Sequence, residues 1–281
     1  MHIHHVNCGT MCPAGKRIIA GEGGLFERAQ MVCHVLIVET GDGLVLIDTG
    51  LGSADVADPG RLGRGFLRRS APRLDPAETA LAHVRRLGFQ PGDVRHIVPT
   101  HLDLDHVGGI SDFPDATVHV FADEHAAAMS PRGPSKRYGY RPAQWAHGPR
   151  WRPHRVAGDR WLGFEAVRVL PGVSPEIALV PLVGHSEGHC GVAVRDGDRW
   201  LLHAGDAYFS HLEVAPDAPR SPLGLAYFQL RRSTSNSARR ANQRRLRQLV
   251  RDHGHEVDVF CAHDAVELDR HQGRGAGSGV Q

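Results

Sequence analysis

Thr100-His101-Leu102-Asp103-Leu104-Asp105-His106-Val107-Gly108-Gly109 places four side chains able to bind a metal within six positions. The run before it, Val94-Arg95-His96-Ile97-Val98, reads as a strand, and Val107-Gly108-Gly109-Ile110 reads as the start of a helix or a tight turn. On extended backbone, side chains two apart point the same way, so His101 and Asp103 share a face. Asp105 and His106 follow where the chain turns, and they approach from another side. That arrangement suits two adjacent metal ions better than one. Imidazole with carboxylate fits zinc, iron or manganese, and the lack of thiolates in the stretch argues against a closed structural zinc site. The competing reading is an ordinary solvated turn rich in His and Asp, and the rest of the chain has to decide between them.

Composition narrows the field. A chain of 281 residues is long enough for one large α/β domain or two small ones. With 41% hydrophobic residues it reads as an ordinary globular protein. No apolar run approaches the ~18 residues that a membrane span needs. Met1-His2-Ile3-His4-His5-Val6-Asn7 lacks the charged-then-apolar layout of a secretory signal, so a cytoplasmic location is expected. The net charge of +2, from 33 basic and 31 acidic residues, argues against nucleic acid or an anionic membrane and leaves a small-molecule substrate as the expected partner. Cys8, Cys12, Cys33, Cys190 and Cys261 are five, an odd number, and three lie in apolar, strand-like contexts. Reduced, buried thiols are expected rather than a disulfide framework. Cys8 and Cys12 lie near His4 and His5, but a C-x3-C spacing without a second pair is a weak metal signal, and a loop near the mouth of a site is the better reading.

Outward from the opening stretch, strands and helices alternate. Residues 2–7 read as an edge strand. Residues 31–40 and 43–48 are continuous apolar runs joined at Gly41-Asp42-Gly43 as a hairpin, and their apolar continuity predicts burial on both faces under a cover of helices. Asp75-Pro76-Ala77-Glu78 predicts a helix start, with a capping Asp, Pro at the first position and Glu placed for a capping box. Ala80, Leu81, Val84 and Leu87 recur at helical spacing before Gly88. A strand at 117–121 and a helix at 123–129 continue the α/β rhythm. Between 131 and 160, eight basic residues face one acid, Asp159, with Tyr138, Tyr140, Trp145 and Trp151 interleaved. This insertion reads either as a lid that holds an anionic or polar substrate through Arg137, Arg141, Tyr138 and Trp145, or as a solvated loop or homodimer contact. A strand at 177–182 leads into Gly184-His185-Ser186-Glu187-Gly188-His189, and a hairpin at 192–203 ends in Gly205-Asp206-Ala207-Tyr208. Residues 212–236 are loop-rich, 238–252 is a surface helix with a solvated basic face, and 257–264 is a last strand ending in His263-Asp264. The Gly-rich segment after 270 is expected to be a disordered tail, leaving one domain over 1–270.

The opening stretch resembles the H-x-H-x-D-H signature of the metallo-β-lactamase superfamily, with Asp103 where that signature has its second His. Asp48-Thr49-Gly50, Gly184-His185 to Gly188-His189, Gly205-Asp206 and His263 follow the family's other motifs in order, so the resemblance covers roughly residues 31–264. It implies an αβ/βα four-layer sandwich. It implies one metal held by His101, Asp103 and His185, a second by Asp105, His106 and His263, and Asp206 bridging them. By the same resemblance Asp48 and His189 support the site without ligating. Asp103 in place of imidazole adds negative charge and a harder ligand, which leaves iron or manganese as alternatives to zinc.

Two adjacent divalent ions lower the pKa of a bridging water and polarise a carbonyl. The resemblance therefore implies a dinuclear metal-dependent hydrolase whose bridging hydroxide opens an ester-like bond. Asp105 is expected to orient the hydroxide, and Tyr208 is a candidate donor to the oxyanion. The layout looks most like the lactonase-like branch, the acyl-homoserine lactonases, which implies a lactone substrate. A thioesterase of the glyoxalase II kind is the alternative. A non-hydrolytic redox or metal-binding member of the fold is the alternative from another class.

Overall fold

Val35-Leu36-Ile37-Val38 is buried throughout, and successive side chains leave for different cores. Val35 and Ile37 pack with Leu44, Leu46, Ala80 and Val84, whereas Leu36 and Val38 pack with Val45, Ile47 and Val192. A strand buried on both faces needs a layer on each side. The chain supplies helices on one side and a second sheet on the other.

In the computed structural model, which describes residues 2–131, 139–156, 158–171 and 173–273, the first sheet takes six strands in sequence order. These are β1 (Ile3–Asn7), β2 (His34–Thr40), β3 (Gly43–Ile47), β4 (Val94–Val98), β5 (Thr117–Phe121) and β6 (Arg150–His154). The second sheet runs in the order β12-β11-β10-β9-β8-β7. Its members are β7 (Asp159–Trp161), β8 (Phe164–Arg168), β9 (Ile177–Pro181), β10 (Cys190–Asp196), β11 (Arg199–His203) and β12 (Val257–Phe260). Leu179, Val192, Val194 and Phe260 face the first sheet, while Ala178, Val180 and Ala193 face away and pack with Leu246 and Leu249 of the helix Asn236–His253. The result is the helix–sheet–sheet–helix sandwich that the resemblance implies.

Topology gathers the motifs at one edge. β3 and β4 are parallel, and β9, β11 and β12 run in one direction because β10 is antiparallel to both β9 and β11. The C-terminal ends of these five strands carry Asp48, the 100–106 stretch, His185, Asp206 and His263. Hydrogen bonds from Cys190 N to Thr100 O (2.9 Å) and from His34 N to Ala262 O (2.8 Å) tie the two sheets together there.

Several expectations change in detail. The helix predicted from Pro76 is split: Asp75 caps a 3-10 turn at Pro76–Glu78, and Thr79 restarts the chain as the cap of Ala80–Arg86, its hydroxyl accepting from Ala82 N (3.2 Å). Glu78 does not complete a capping box, because its carboxylate accepts from Thr10 Oγ1 (2.8 Å) instead. The stretch 212–236 contains the helix Leu223–Arg232. On the basic helix Arg239 is buried, donating to Gln229 and Gln243, so that part of the face is not solvated. The predicted strand over 257–264 stops at Phe260. The predicted tail lies outside the described residues from 274 onward, and a helix at Ala265–His271 precedes it. Among the described residues no helix is long and apolar enough to cross a membrane.

Candidate metal centre

Four imidazoles converge on one carboxylate. His101 Nε2 and His185 Nε2 lie 3.8 and 3.4 Å from Asp206 Oδ2, while His106 Nε2 and His263 Nε2 lie 3.3 and 3.1 Å from Asp206 Oδ1. Each carboxylate oxygen thus faces its own pair of histidines. Asp103 joins the first pair, with Oδ2 3.6 Å from His101 Nε2 and 3.1 Å from His185 Nε2. Asp105 joins the second, with Oδ2 3.7 Å from His263 Nε2. The structure therefore gathers His101, Asp103, Asp105, His106, His185, Asp206 and His263 into one cluster. His101, His185 and Asp206 form one set able to hold a metal ion, and His106, Asp206 and His263 form another.

The donor atoms fit such ions. His101 Nε2, His106 Nε2 and Asp206 Oδ1 are buried without a hydrogen-bond partner. Buried polar atoms left unpaired cost about 1–3 kcal/mol each, so a cluster of them aimed at a common point is what a cation satisfies.

The surroundings determine which ring nitrogen is presented. Asp48, in the left-handed region at φ 60° that a short polar side chain tolerates, accepts from Thr100 N (2.7 Å), Thr100 Oγ1 (2.9 Å) and His106 Nδ1 (2.8 Å). His106 is left presenting Nε2. Gly50 follows in the same turn at φ 62°, so close to the Cys8 carbonyl that a Cβ would lie 2.1 Å from its oxygen. His263 donates Nδ1–H to Val32 O (2.7 Å), which turns its Nε2 inward. His189 is outside the cluster in role: its Nδ1 donates to Leu182 O (3.0 Å) and its Nε2 accepts from Asp206 N (2.8 Å), holding the backbone of that carboxylate.

Charges in the cluster reinforce one another. Burial opposes ionisation of Asp206, but His263, His106 and His185 outweigh it and hold the carboxyl well below the usual range. Burial likewise opposes a charged His106, and Asp206 and Asp48 overcome it and raise that imidazole. For Asp103, the Arg232 guanidinium, with His101 and His185, outweighs burial and keeps the carboxylate charged.

Other proposed site residues lie elsewhere. Tyr208 is fully buried, and its hydroxyl donates to Glu267 Oε1 (2.9 Å), so the expectation that it serves the oxyanion is corrected: its proton is committed inside the second-sheet core. Trp145 is corrected to a core residue, packed with Tyr140 and Trp151 rather than on a substrate surface. Arg141 lays its guanidinium against Gly63, outside the cavity, where a substrate contact was expected. Arg137 and Tyr138 lie outside the described residues. The described part of the insertion does not form a lid: it supplies β6 to the sheet edge and Gln144, whose amide donates to Leu104 O (2.8 Å), and of it only Gly139 lines the cavity.

Three contributors carry no signal in the local sequence. Glu124 braces the loops that present His101 and His185, accepting from Leu102 N (2.9 Å), Ser186 Oγ (2.6 Å) and Gly188 N (3.0 Å). Cys33 brings its sulfur toward Asp105 and His263, although burial pushes that thiol up. Arg232 ion-pairs with Asp103 from the helix Leu223–Arg232. An acid in the first turn of a helix and a cysteine before a strand are ordinary local features; only the long-range contact distinguishes them.

Above the cluster opens a cavity of about 250 Å³ with Asp103, Asp105, His185, Asp206 and His263 at its floor. Its walls are mostly apolar, including Met11, Ile19, Met31, Phe66, Leu225 and Phe228, and Arg69, Ser70 and Arg232 also line it. Phe209 stacks on His263 with ring centroids 5.3 Å apart. A wider chamber of about 500 Å³ adjoins it through shared Ile19, Met31, Phe209, Leu225 and His263, and carries Lys16 and Arg220.

Known proteins resemble this chain in sequence and in fold. The chain is 42% identical over 264 residues to a probable metallo-hydrolase of Mycobacterium tuberculosis, covering 93% of this chain and 80% of that one. It is 36% identical over 131 residues to the N-acyl homoserine lactonase AttM of Rhizobium radiobacter, covering 47% and 49% of the two chains. In fold it is similar to an N-acyl homoserine lactone hydrolase crystallised with N-hexanoyl-L-homoserine at its catalytic metal centre, with TM-score 0.71, 18% identity and 96% and 95% of the two chains covered. It is also similar to the dizinc quorum-quenching lactonase AidC, with TM-score 0.62, 16% identity and coverage of 94% and 87%. The Metallo-beta-lactamase superfamily matches residues 29–246, and the chain belongs to that superfamily.

Proposed function

We propose that the protein is a dinuclear metal-dependent hydrolase that opens a lactone carrying an apolar acyl chain. The observation that carries this reading is Asp206, whose two oxygens each face a separate histidine pair at the floor of an apolar-walled cavity. His101, Asp103 and His185 would hold one divalent ion, zinc before iron or manganese, and Asp105, His106 and His263 the other, with Asp206 shared. When bound, the pair of ions lowers the pKa of a water and polarises the substrate carbonyl. The chain's own residues do the remaining work. Met31, Phe66, Leu225 and Phe228 bind the acyl chain and exclude bulk water from the floor. Asp105, on the cavity floor beside His263, would orient the attacking water as well as hold the second ion. Asp48 and Val32 O keep the His106 and His263 rings aimed. N-acyl lactones are favoured because relatives and fold neighbours act on them by name, and because the cavity combines an apolar wall with a polar floor.

Metal analysis of the purified protein, paired with hydrolysis of N-acyl lactones, acyl thioesters and phosphodiesters, tests the reading. Two ions per chain and preference for longer-chain lactones are expected. Fewer than one ion per chain would refute the metal centre, and a thioester preference would refute the lactone assignment while leaving the metal centre intact.

A further inference from the structure

Asp103 stands where the superfamily signature carries an imidazole, and a carboxylate there makes the first cation site one charge more negative. The structure places a compensating charge against it. Arg232, in the last turn of the helix Leu223–Arg232, directs Nη2 to both Asp103 Oδ1 and Asp103 Oδ2. Both side chains are buried, 7% exposed each. Gly139 closes over the pair: a Cβ at that position would lie 2.0 Å from Arg232 Nη2 and 2.1 Å from Asp103 Oδ1. Oδ2 is at the same time the oxygen nearest His101 and His185. A guanidinium is always charged, and burying one beside a dication site without a counter-ion is strongly unfavourable.

We propose that Asp103 and Arg232 act as one neutral unit of the first cation site: Arg232 Nη2 contacts both Asp103 oxygens, and Oδ2, which also faces His101 and His185, would be the oxygen shared with the ion. Carboxylate plus guanidinium sums to zero charge, as an imidazole does. The first site therefore keeps the net charge of a set in which this position is His, although its donor is an oxygen. Arg232 is a positioning residue in this arrangement: it never touches the ion, and it fixes the orientation and donor strength of the ligand that does. The proposal rests on the metal-centre reading above.

The two residues should be thermodynamically coupled in metal affinity, with a sign that simple structural support would not give. Zn²⁺ is titrated against a chromophoric chelator into metal-stripped wild type, Asp103→His, Arg232→Met and the double variant, with melting curves of the stripped proteins as a check on folding. Asp103→His leaves Arg232 buried and uncompensated, and weakens one of the two ions by about tenfold or more. Adding Arg232→Met to that variant restores neutrality and returns the affinity to within about threefold of wild type. Arg232→Met alone leaves an unneutralised carboxylate and binds that ion at least as tightly as wild type. Arg232→Lys keeps the charge and stays near wild type. Asp103→His that binds like wild type, or a double variant no better than Asp103→His, would overturn the pairing while two ions in wild type left the metal centre standing. Failure of wild type itself to take up Zn²⁺ would instead overturn the metal centre, and the pair with it.

Discussion

Asp48→Asn isolates the support of the second ion from its ligands. The Asp48 carboxylate accepts three hydrogen bonds, from Thr100 N (2.7 Å), Thr100 Oγ1 (2.9 Å) and His106 Nδ1 (2.8 Å). Asparagine has nearly the same shape, but one oxygen becomes an NH2 group. Its remaining oxygen can keep Thr100 N, so the NH2 group then faces His106 Nδ1 and donates to it. That moves the imidazole proton to Nε2, the atom 3.3 Å from Asp206 Oδ1, and removes the lone pair that a cation needs. Losing such an outer partner costs about 10–100-fold in metal affinity, which is about 1.4–2.7 kcal/mol. Loss of charge-assisted bonds should also lower folding stability by about 1.5–3 kcal/mol, short of unfolding a domain of ordinary stability. The assay is Zn²⁺ competition on metal-stripped protein, with nitrogen NMR of the imidazoles to read the tautomer directly. Weakening of one ion only, with His106 protonated at Nε2, is expected. Both ions bound at wild-type affinity, or His106 keeping its Nδ1 proton, would refute the argument.

Three further outcomes follow from the same geometry. Asp206→Ala removes the carboxylate shared by both histidine pairs, so metal analysis should show loss of one or both ions and turnover should vanish; unchanged metal content would exclude a bridging role. Tyr208→Phe should leave kcat within about twofold and cost about 1–3 kcal/mol of stability, because its hydroxyl serves buried Glu267 and not the substrate; a hundredfold fall in kcat would return Tyr208 to the active site. Burial, with help from Asp264, pushes Glu267 from 4.5 up to about 7. A carboxyl raised on folding binds its proton more tightly in the native state, so its contribution is full below pH 4.5 and is lost as pH rises toward 7, by about 3 kcal/mol in total. Glu267→Gln should flatten that part of the urea-stability profile of metal-stripped protein between pH 4.5 and 7, and identical profiles for variant and wild type would contradict it.

Much of this molecule is legible locally. Val35 to Val38 and Leu44 to Ile47 announce strands buried on both faces, because a period of two and an apolar run are properties of neighbouring residues. His101 to His106 announce a metal-binding turn for the same reason: the donors are adjacent in the chain. The order of the motifs places His185, Asp206 and His263 at strand ends, and the parallel directions of β9, β11 and β12 then bring those ends to one edge. Orientation is another matter. Tyr208 sits two residues past Asp206, yet packing of the second sheet against the helix Asn236–His253 turns it to Glu267. Trp145 reads as part of an aromatic, basic lid until its ring is seen in the core of the first sheet. Asp103 reads as a surplus negative charge until Arg232, 129 residues away, is found against it. Backbone pattern and donor type are short-range properties carried by the chain itself. Which charge meets which, and whether a ring faces core or cavity, are set by contacts between segments far apart in the chain, and these exist only once the two sheets have closed on each other.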